Sequence, residues 1–354
     1  MRITVQKTNA PKAKPSSEGA LGFGKVFTDH MFVMEYNESN GWHDPKIIPY
    51  GSIELDPSSA VLHYGQTIFE GLKAYKIAND DILLFRPEKN MERINISNER
   101  LCIPQIDVDF CVEALKTFVD VERDWVPSSA GTSLYLRPFI IATDPFLGVH
   151  PSYTYKFIII ASPSGQYYPE GVNPVKIWVE QNYVRAVKGG TGFAKTGGNY
   201  AASLKAQKEA QDKNYTQVLW LDGIERKYIE EVGTMNVFFV IDDEVVTPEL
   251  SGSILPGVTR MSAIELLSAR GKKVTQRQIT IDEIYNAHDR GALKEAFGTG
   301  TAAVISPIGE LNYNGNNIII NDNKTGPVAQ ELYNSLTKIQ TGEANDEFNW
   351  TVRV

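Results

Sequence analysis

The chain reads as a mixed α+β protein of two domains, and three observations lead there. At 354 residues it is long enough for about two ordinary domains with substantial cores. Strand-like runs rich in branched and aromatic residues interleave with segments of helical periodicity in both halves. Near mid-chain, Pro163-Ser164-Gly165-Gln166-Tyr167-Tyr168-Pro169-Glu170-Gly171-Val172-Asn173-Pro174 is dense in proline and glycine and has no period, which marks a connection. The expected division is therefore a domain over 1–163, a loop over 164–174 and a domain over 175–354. The loop's two tyrosines suggest that it lines a cleft between the domains.

In the first domain, strands are expected at Met31–Tyr36, Ile82–Phe85, Ser133–Ile141 and Tyr155–Ala161. Asp107 is a good N-cap for a helix that sets Val108, Cys111, Val112, Leu115, Phe118 and Val119 on one face before Pro127 stops it. In the second, a strand at Val175–Val179 precedes a helix from Tyr200 to near Lys213. Strands follow at Gln217–Leu221 and Val237–Ile241, and the latter turns at Asp242-Asp243 into Glu244–Thr247 as a hairpin. A helix begins near Val258 and presents Val258, Met261, Ile264 and Leu267 before Gly271 ends it. Pro327 opens another, with Val328, Leu332, Leu336 and Ile339 on one face.

Composition excludes several classes of function. Apolar residues make up 42% and charged residues 22%, as in ordered globular proteins. No run approaches the roughly 18 to 20 apolar residues that a membrane span needs. The first twenty residues carry Arg2, Lys7, Lys12 and Lys14 without a secretory apolar stretch or the composition of a transit peptide, so a soluble, cytoplasmic protein is expected. A net charge of -8 argues against nucleic acid or an anionic membrane as partner, because both demand clustered positive charge. Cys102 and Cys111 read as reduced core thiols rather than a disulfide. His30, His43, His63, His150 and His288 show no metal-ligand spacing and no GxSxG elbow occurs, so no metal is expected and a serine-hydrolase mechanism is unsupported.

Two stretches carry chemistry. Lys195-Thr196-Gly197-Gly198-Asn199-Tyr200 sets one lysine among small residues: Phe193 and Ala194 supply apolar surface, Gly197 and Gly198 let a ligand approach the backbone, and Asn199 can cap the next helix. Most lysines are solvated, and Lys205 and Lys208, which lack this setting, are expected to face solvent. A desolvated lysine loses its proton more readily and becomes a nucleophile or Schiff-base former. In the second stretch, Tyr228 to Asn236, Glu230 and Glu231 are consecutive on a strand that runs into Val237-Phe238-Phe239-Val240, so one carboxylate points inward and needs a partner. An amine and a buried carboxylate are the two ionisable groups that a pyridoxal phosphate enzyme sets at opposite parts of its cofactor.

Phosphate sites are suggested by Leu255-Pro256-Gly257-Val258-Thr259-Arg260, a turn feeding a helix start, and by Gly298-Thr299-Gly300-Thr301-Ala302-Ala303. The segment Gly189 to Thr196 is a near miss to a nucleotide-binding P-loop. Ala194 stands where the second glycine should precede the lysine, and the polar, basic residues 181–188 are not the buried strand that such a loop leaves.

These residues resemble the branched-chain amino acid aminotransferases, fold-type-IV pyridoxal phosphate enzymes. The likeness runs from Phe23-Gly24-Lys25-Val26-Phe27 to the last helix, through His63-Tyr64-Gly65-Gln66-Thr67-Ile68-Phe69-Glu70-Gly71, Leu134-Tyr135-Leu136-Arg137-Pro138, the lysine segment, Glu231-Val232-Gly233-Thr234-Met235-Asn236 and the Thr301 turn, in the family's order. It implies a smaller N-terminal α/β domain, a larger C-terminal pseudo-barrel domain carrying the lysine, and an active site in the interdomain cleft.

The resemblance also implies roles. Lys195 is similar to the Schiff-base lysine, Glu231 to the carboxylate facing the pyridine nitrogen and Tyr200 to the partner of the phenolic oxygen. Arg93, Thr234, Val258, Thr259 and Thr301 match the phosphate site. Tyr64, Phe69, Tyr135, Arg137 and Tyr167 match the substrate pocket, and the amides of Thr301 and Ala302 match those that receive the substrate carboxylate. Leu147 and Val149 match a loop lent to a neighbouring subunit, which implies a homodimer. Ala303 and Ser306 stand where some animal members carry a redox-sensitive cysteine pair, so that regulation is expected to be absent.

The reaction so implied moves the amino group of leucine, isoleucine or valine to 2-oxoglutarate, with glutamate and the branched 2-oxo acids as the other partners. The alternatives are a D-amino acid transaminase or an aminodeoxychorismate lyase of the same superfamily and, from another class, a nucleotide-binding module using the glycines near Lys195.

Overall fold

A computed structural model of the protein describes residues 1–15, 21–165 and 173–354. The chain forms two compact units. The first comprises Met1–Pro169, Ala194–Gly197 and Lys338–Val354, and the second Glu170–Phe193 and Gly198–Thr337. Among the described residues no helix is long and apolar enough to cross a membrane.

The first unit is a nine-stranded sheet with helices over one face. Its elements are β1 (Thr4–Val5), β2 (His30–Asn37), β3 (Gly41–Pro49), α1 (Ala60–Tyr64), β4 (Thr67–Phe69), β5 (Leu72–Lys76), β6 (Ile82–Phe85), α2 (Pro87–Leu101), α3 (Val108–Val121), β7 (Ser133–Ala142) and β8 (Thr154–Ser164). The order across the sheet is β1-β3-β2-β8-β7-β5-β6, closed by the C-terminal strand Thr351–Arg353, while β4 pairs with the far end of β7. Alternation along β7 sends Leu134, Leu136 and Ile140 into a core with Leu115 and Phe118 of α3. Tyr135, Arg137 and Phe139 take the opposite face. The register sets Lys73 against Tyr135 and Phe69 against Phe139, so these residues share that face.

The Asp107 cap holds as expected, its carboxylate accepting the Phe110 N–H at 3.0 Å. Cys111 is buried on α3, and burial pushes its thiol up to about 12. Cys102 departs from the expectation: it is exposed at the C-terminal cap of α2, in the left-handed conformation with φ +54°.

The second unit curls a nine-stranded mixed sheet around its own core. Its elements are β9 (Val175–Val179), α4 (Gly197–Asp212), β10 (Gln217–Leu221), β11 (Ile229–Val232), β12 (Asn236–Ile241), β13 (Glu244–Thr247), α5 (Val258–Ala269), β14 (Lys273–Gln276), α6 (Ile281–Asp289), β15 (Leu293–Gly300), β16 (Val304–Tyr313), β17 (Asn316–Ile319) and α7 (Pro327–Gln340). The order is β11-β10-β9-β16-β15-β12-β13-β14, with β17 on β16. Helix α4 starts three residues earlier than its periodicity suggested. Asn199 therefore lies inside its first turn, where it accepts from the Thr191 hydroxyl at 2.7 Å and donates to the Thr191 carbonyl at 2.8 Å. Lys205 and Lys208 face solvent, paired along the helix with Glu209 and Asp212.

Candidate active site

Lys195 lies on a short strap held along its length. Its N–H donates to Ser97 Oγ at 2.9 Å, its carbonyl accepts the Phe69 N–H at 2.9 Å, and the Thr196 hydroxyl donates to the Thr67 carbonyl at 2.8 Å. Ile68 and Thr196 add an antiparallel bridge, so the strap pairs alongside β4. This fixes the backbone and sets Nζ 4.9 Å from the centre of the Phe69 ring.

Helix α2 supports this corner with one face. Asn90, Arg93 and Ser97 fall at helical spacing, and all three are buried. Arg93 donates from Nε and Nη2 to the two oxygens of Glu70 at 2.7 and 2.9 Å, and Asn90 Nδ2 adds 2.8 Å. Burial alone would raise the Glu70 carboxyl. The charges of Arg93 and, less strongly, Lys195 outweigh it and hold the carboxyl below its ordinary range.

A polar and aromatic wall continues on the same sheet face. Arg137 Nη2 donates to Tyr135 Oη at 3.0 Å, and its guanidinium sits 4.8 Å from the Phe69 ring centre and 5.3 Å from that of Tyr135. Gly71 makes room for Tyr135, since a Cβ there would stand 2.0 Å from its hydroxyl. Lys73, across from Tyr135, has its ammonium pushed down to about 8 by burial. Tyr64 at the end of α1 and Leu147 and Val149 beyond β7 lie on the surface, 44%, 66% and 88% exposed. Tyr167 lies outside the described residues.

In the second unit, Tyr200, Glu231 and Thr234 line one small hollow with Arg185, Asn199, Ser203 and Gly233. Glu231 is buried; its Oε1 accepts the Leu255 N–H at 2.8 Å and lies 3.3 Å from Arg185 Nη2. Arg185 also donates to the carbonyls of Gly192 and Ser253. Its loop is shaped by Glu180, whose Oε1 accepts the amides of Gln181, Asn182 and Tyr183 at 3.0, 2.7 and 3.0 Å. The expectation that only one of the adjacent glutamates is buried fails. Glu230 is buried too, because the segment running to Ser253 covers the other side of β11 and the Ser253 hydroxyl donates to it.

The start of α5 reaches the same corner. Asn236 Nδ2 donates to the Leu255 carbonyl at 2.9 Å, and a Cβ on Gly257 would fall 2.1 Å from Asn236 Oδ1. Helix α5 has Gly257 as N-cap and no side chain capping it, which leaves the first amides, including those of Val258 and Thr259, without that competitor. Thr299, the register partner of Asn236, is buried and its hydroxyl has no hydrogen-bond partner among the described residues. Past the half-buried Thr301 and Ala302, Val304 adopts φ +62°, a strained conformation for a β-branched residue of the sort that collects at working sites. Tyr200, Glu231, Thr234, Val258, Thr259 and Thr301 are thus drawn from separate segments toward the β11–β12 turn.

Residues 67–311 match the model of the class IV amino-transferase family. The chain belongs to that family. It is 60% identical over 354 residues to branched-chain-amino-acid aminotransferase 2 of Bacillus subtilis, covering all of this chain and 97% of that one. It is 54% identical to a probable branched-chain-amino-acid aminotransferase of Staphylococcus aureus, over 99% of this chain and 98% of that one. Among solved structures, the Escherichia coli branched-chain amino acid aminotransferase superposes with a TM-score of 0.77 at 28% identity, covering 91% of this chain and 98% of that one. The T.th. enzyme of the same name, solved with pyridoxamine 5'-phosphate, gives 0.75 at 28% identity over 91% and 97%. The α+β expectation and the fold-type-IV resemblance agree with these findings.

For this class IV aminotransferase, the residue-level reading missed Glu70, Lys73, Ser97 and Arg185. Glu70 was visible inside its motif but had no partner to suggest a role. Arg185 lay in the basic run that counted against a P-loop.

Proposed function

We propose that the protein is a pyridoxal 5'-phosphate-dependent transaminase that moves the amino group of L-leucine, L-isoleucine or L-valine to 2-oxoglutarate. The pinned Lys195 strap carries the reading: it presents one amine from a backbone that cannot drift, in a chain whose full-length relatives bear that activity in their names. The residues fit the cofactor. Glu231, buried and anchored by Leu255 and Arg185, can hold the ring nitrogen's proton, and Tyr200 beside it can bond the phenolic oxygen. Arg93, the uncapped amides of Val258 and Thr259 and the hydroxyls of Thr234 and Thr301 can receive the phosphate.

When bound, the cofactor supplies an electron sink for the substrate's α-carbon. Lys195 would take the α-proton on Nζ and hand a proton back on the far side of the substrate nitrogen, acting as general base and then acid. The amides of Thr301 and Ala302 orient the substrate carboxylate. Phe69 and Tyr135 offer ring surface to a branched side chain, with Tyr167 assigned to the same pocket by motif. Tyr64, Tyr135 and Arg137 answer the second carboxylate of 2-oxoglutarate, which an apolar pocket alone would bury at a cost of several kcal/mol. Leu147 and Val149, apolar and exposed, suit burial by a second copy of the chain, so the working form is a homodimer. Two unpaired cysteines suit a reducing cytoplasm.

The test is the absorbance spectrum of the purified protein before and after L-leucine, then D-alanine, without an acceptor. A visible band that moves to the near-ultraviolet with L-leucine alone supports the assignment. Movement with D-alanine alone points to a D-amino acid transaminase, and cofactor-supplemented protein with no visible band refutes pyridoxal phosphate chemistry here.

A further inference from the structure

Behind the strand that carries Glu231 lies a second cavity, of about 150 Å³. Its lining includes Glu230, Ser253, Ile229, Ile254, Asp222 and Lys188. The cavity belongs to the second unit alone and shares no lining residue with the Tyr200–Glu231 hollow. An apolar engineered cavity of this volume accommodates benzene, so a ligand of roughly four to six heavy atoms fits.

Its chemistry is acidic and specific. Asp222, Glu225, Glu230 and Glu249 line it, opposed by the cation Lys188. Asp222 is occupied by the amides of Ile224, Glu225, Lys227 and Tyr228, and Glu225 pairs with Lys227. Glu230 differs. It is 5% exposed; Oε1 accepts from the Ser253 hydroxyl, while Oε2 is buried with no hydrogen-bond partner among the described residues. Glu230 is a lining residue of the cavity, and a buried carboxylate oxygen with no donor is a costly arrangement unless something donates to it. Burial raises the Glu230 carboxyl, with the Ser253 hydroxyl and Arg185 opposing and Glu231 and Asp222 adding to the rise, so a cation placed there would favour the ionised form.

A bare metal ion does not answer the site, because no group of three or more acidic, histidine or cysteine ligands converges among the described residues. The isoleucines and Pro248 would leave such an ion's hydration shell against hydrocarbon. They suit the carbon part of an organic cation instead.

We propose that this cavity binds a small organic ammonium ion, with the Glu230 carboxylate as counter-ion and Ile229 and Ile254 against its carbon groups. The site is distinct from the transamination centre but one residue from it along β11. Arg185 links the two, donating to the Ser253 carbonyl and lying beside Glu231.

The probe is trimethylammonium chloride, whose tertiary nitrogen keeps one N–H and cannot condense with a carbonyl group. Its binding to the cofactor-supplemented, full-length protein is followed by saturation-transfer NMR, against tetramethylammonium and sodium chloride at equal ionic strength. The expected result is saturable binding of trimethylammonium, weaker binding of tetramethylammonium, and at least about tenfold loss of affinity in Glu230→Gln, since the lost partner is a buried charge. Lys188→Ala removes the positive charge from the lining and should tighten cation binding whether or not Glu230→Gln folds. Absence of saturable binding, equal affinity for tetramethylammonium, or affinity unchanged in folded Glu230→Gln or in Lys188→Ala would overturn the proposal.

Discussion

Removing the charge of Glu70 tests whether the Arg93 anchor is as costly to disturb as its burial implies. Glu70 has no solvent exposure and Arg93 is 5% exposed, and the two are joined by hydrogen bonds of 2.7 and 2.9 Å with Asn90 adding a third of 2.8 Å. Glu70→Ala takes the paired carboxylate away from a buried guanidinium, for which a loss of about 3–5 kcal/mol is expected. Glu70→Gln keeps the shape and one acceptor but not the charge, and a loss of roughly 1.5–3 kcal/mol is expected, the range for a hydrogen bond to a charged group. The assay is urea unfolding of the cofactor-free protein at neutral pH, followed by tryptophan fluorescence.

The pH dependence has a fixed sign. The folded carboxyl lies below its ordinary value of 4.5, so its contribution is fully present above that pH and disappears as the pH falls through the lower folded value. The wild-type and Glu70→Gln stability curves should therefore converge in acid, below pH 4.5. A loss under about 1 kcal/mol for Glu70→Ala, or a gap between wild type and Glu70→Gln that widens in acid, would refute this account of the pair.

Other outcomes follow from the same geometry. Arg137→Met, which removes the donor 3.0 Å from Tyr135 Oη, should lower kcat/KM for 2-oxoglutarate by about tenfold or more beyond its effect on 2-oxoisocaproate. Equal losses in steady-state kinetics would remove Arg137 from diacid recognition. Gly257→Ala forces a Cβ to 2.1 Å from Asn236 Oδ1 and should displace the start of α5, weakening pyridoxal phosphate binding in a fluorescence titration while far-ultraviolet circular dichroism stays the same. With an aromatic disulfide reagent, native protein should expose one fast thiol, Cys102, and denatured protein two, because Cys111 is buried and held at about 12.

Where local pattern dictates structure, expectation and observation meet closely. The branched runs Ile82–Phe85, Val175–Val179, Gln217–Leu221 and Glu244–Thr247 have the expected bounds, because β-branched and aromatic side chains favour a pleated surface whatever follows. Helix α3 was legible from its cap and apolar face. Helix α2 was not: its buried face carries Asn90, Arg93, Ser97 and Asn98 beside Met91 and Ile94, so hydrophobic periodicity is silent there. Cys102 misled for a related reason. Its type favours burial, while its position in the left-handed cap of α2 turns it outward.

The candidate site divides along the same line. Lys195 among small residues, Glu231 entering an apolar strand, and the glycine-rich turns at Gly257 and Gly298 announce themselves through residue type and near neighbours, and their order along the chain carries the family resemblance. Partnership does not. That Ser97 holds the Lys195 amide, that Glu70 rather than solvent faces Arg93, that Arg185 reaches Glu231, and that both adjacent glutamates are buried are decided by which segments meet when the sheets form. A buried charge is tolerable only beside its partner, and that partner can lie anywhere along the chain, so only the tertiary structure names it.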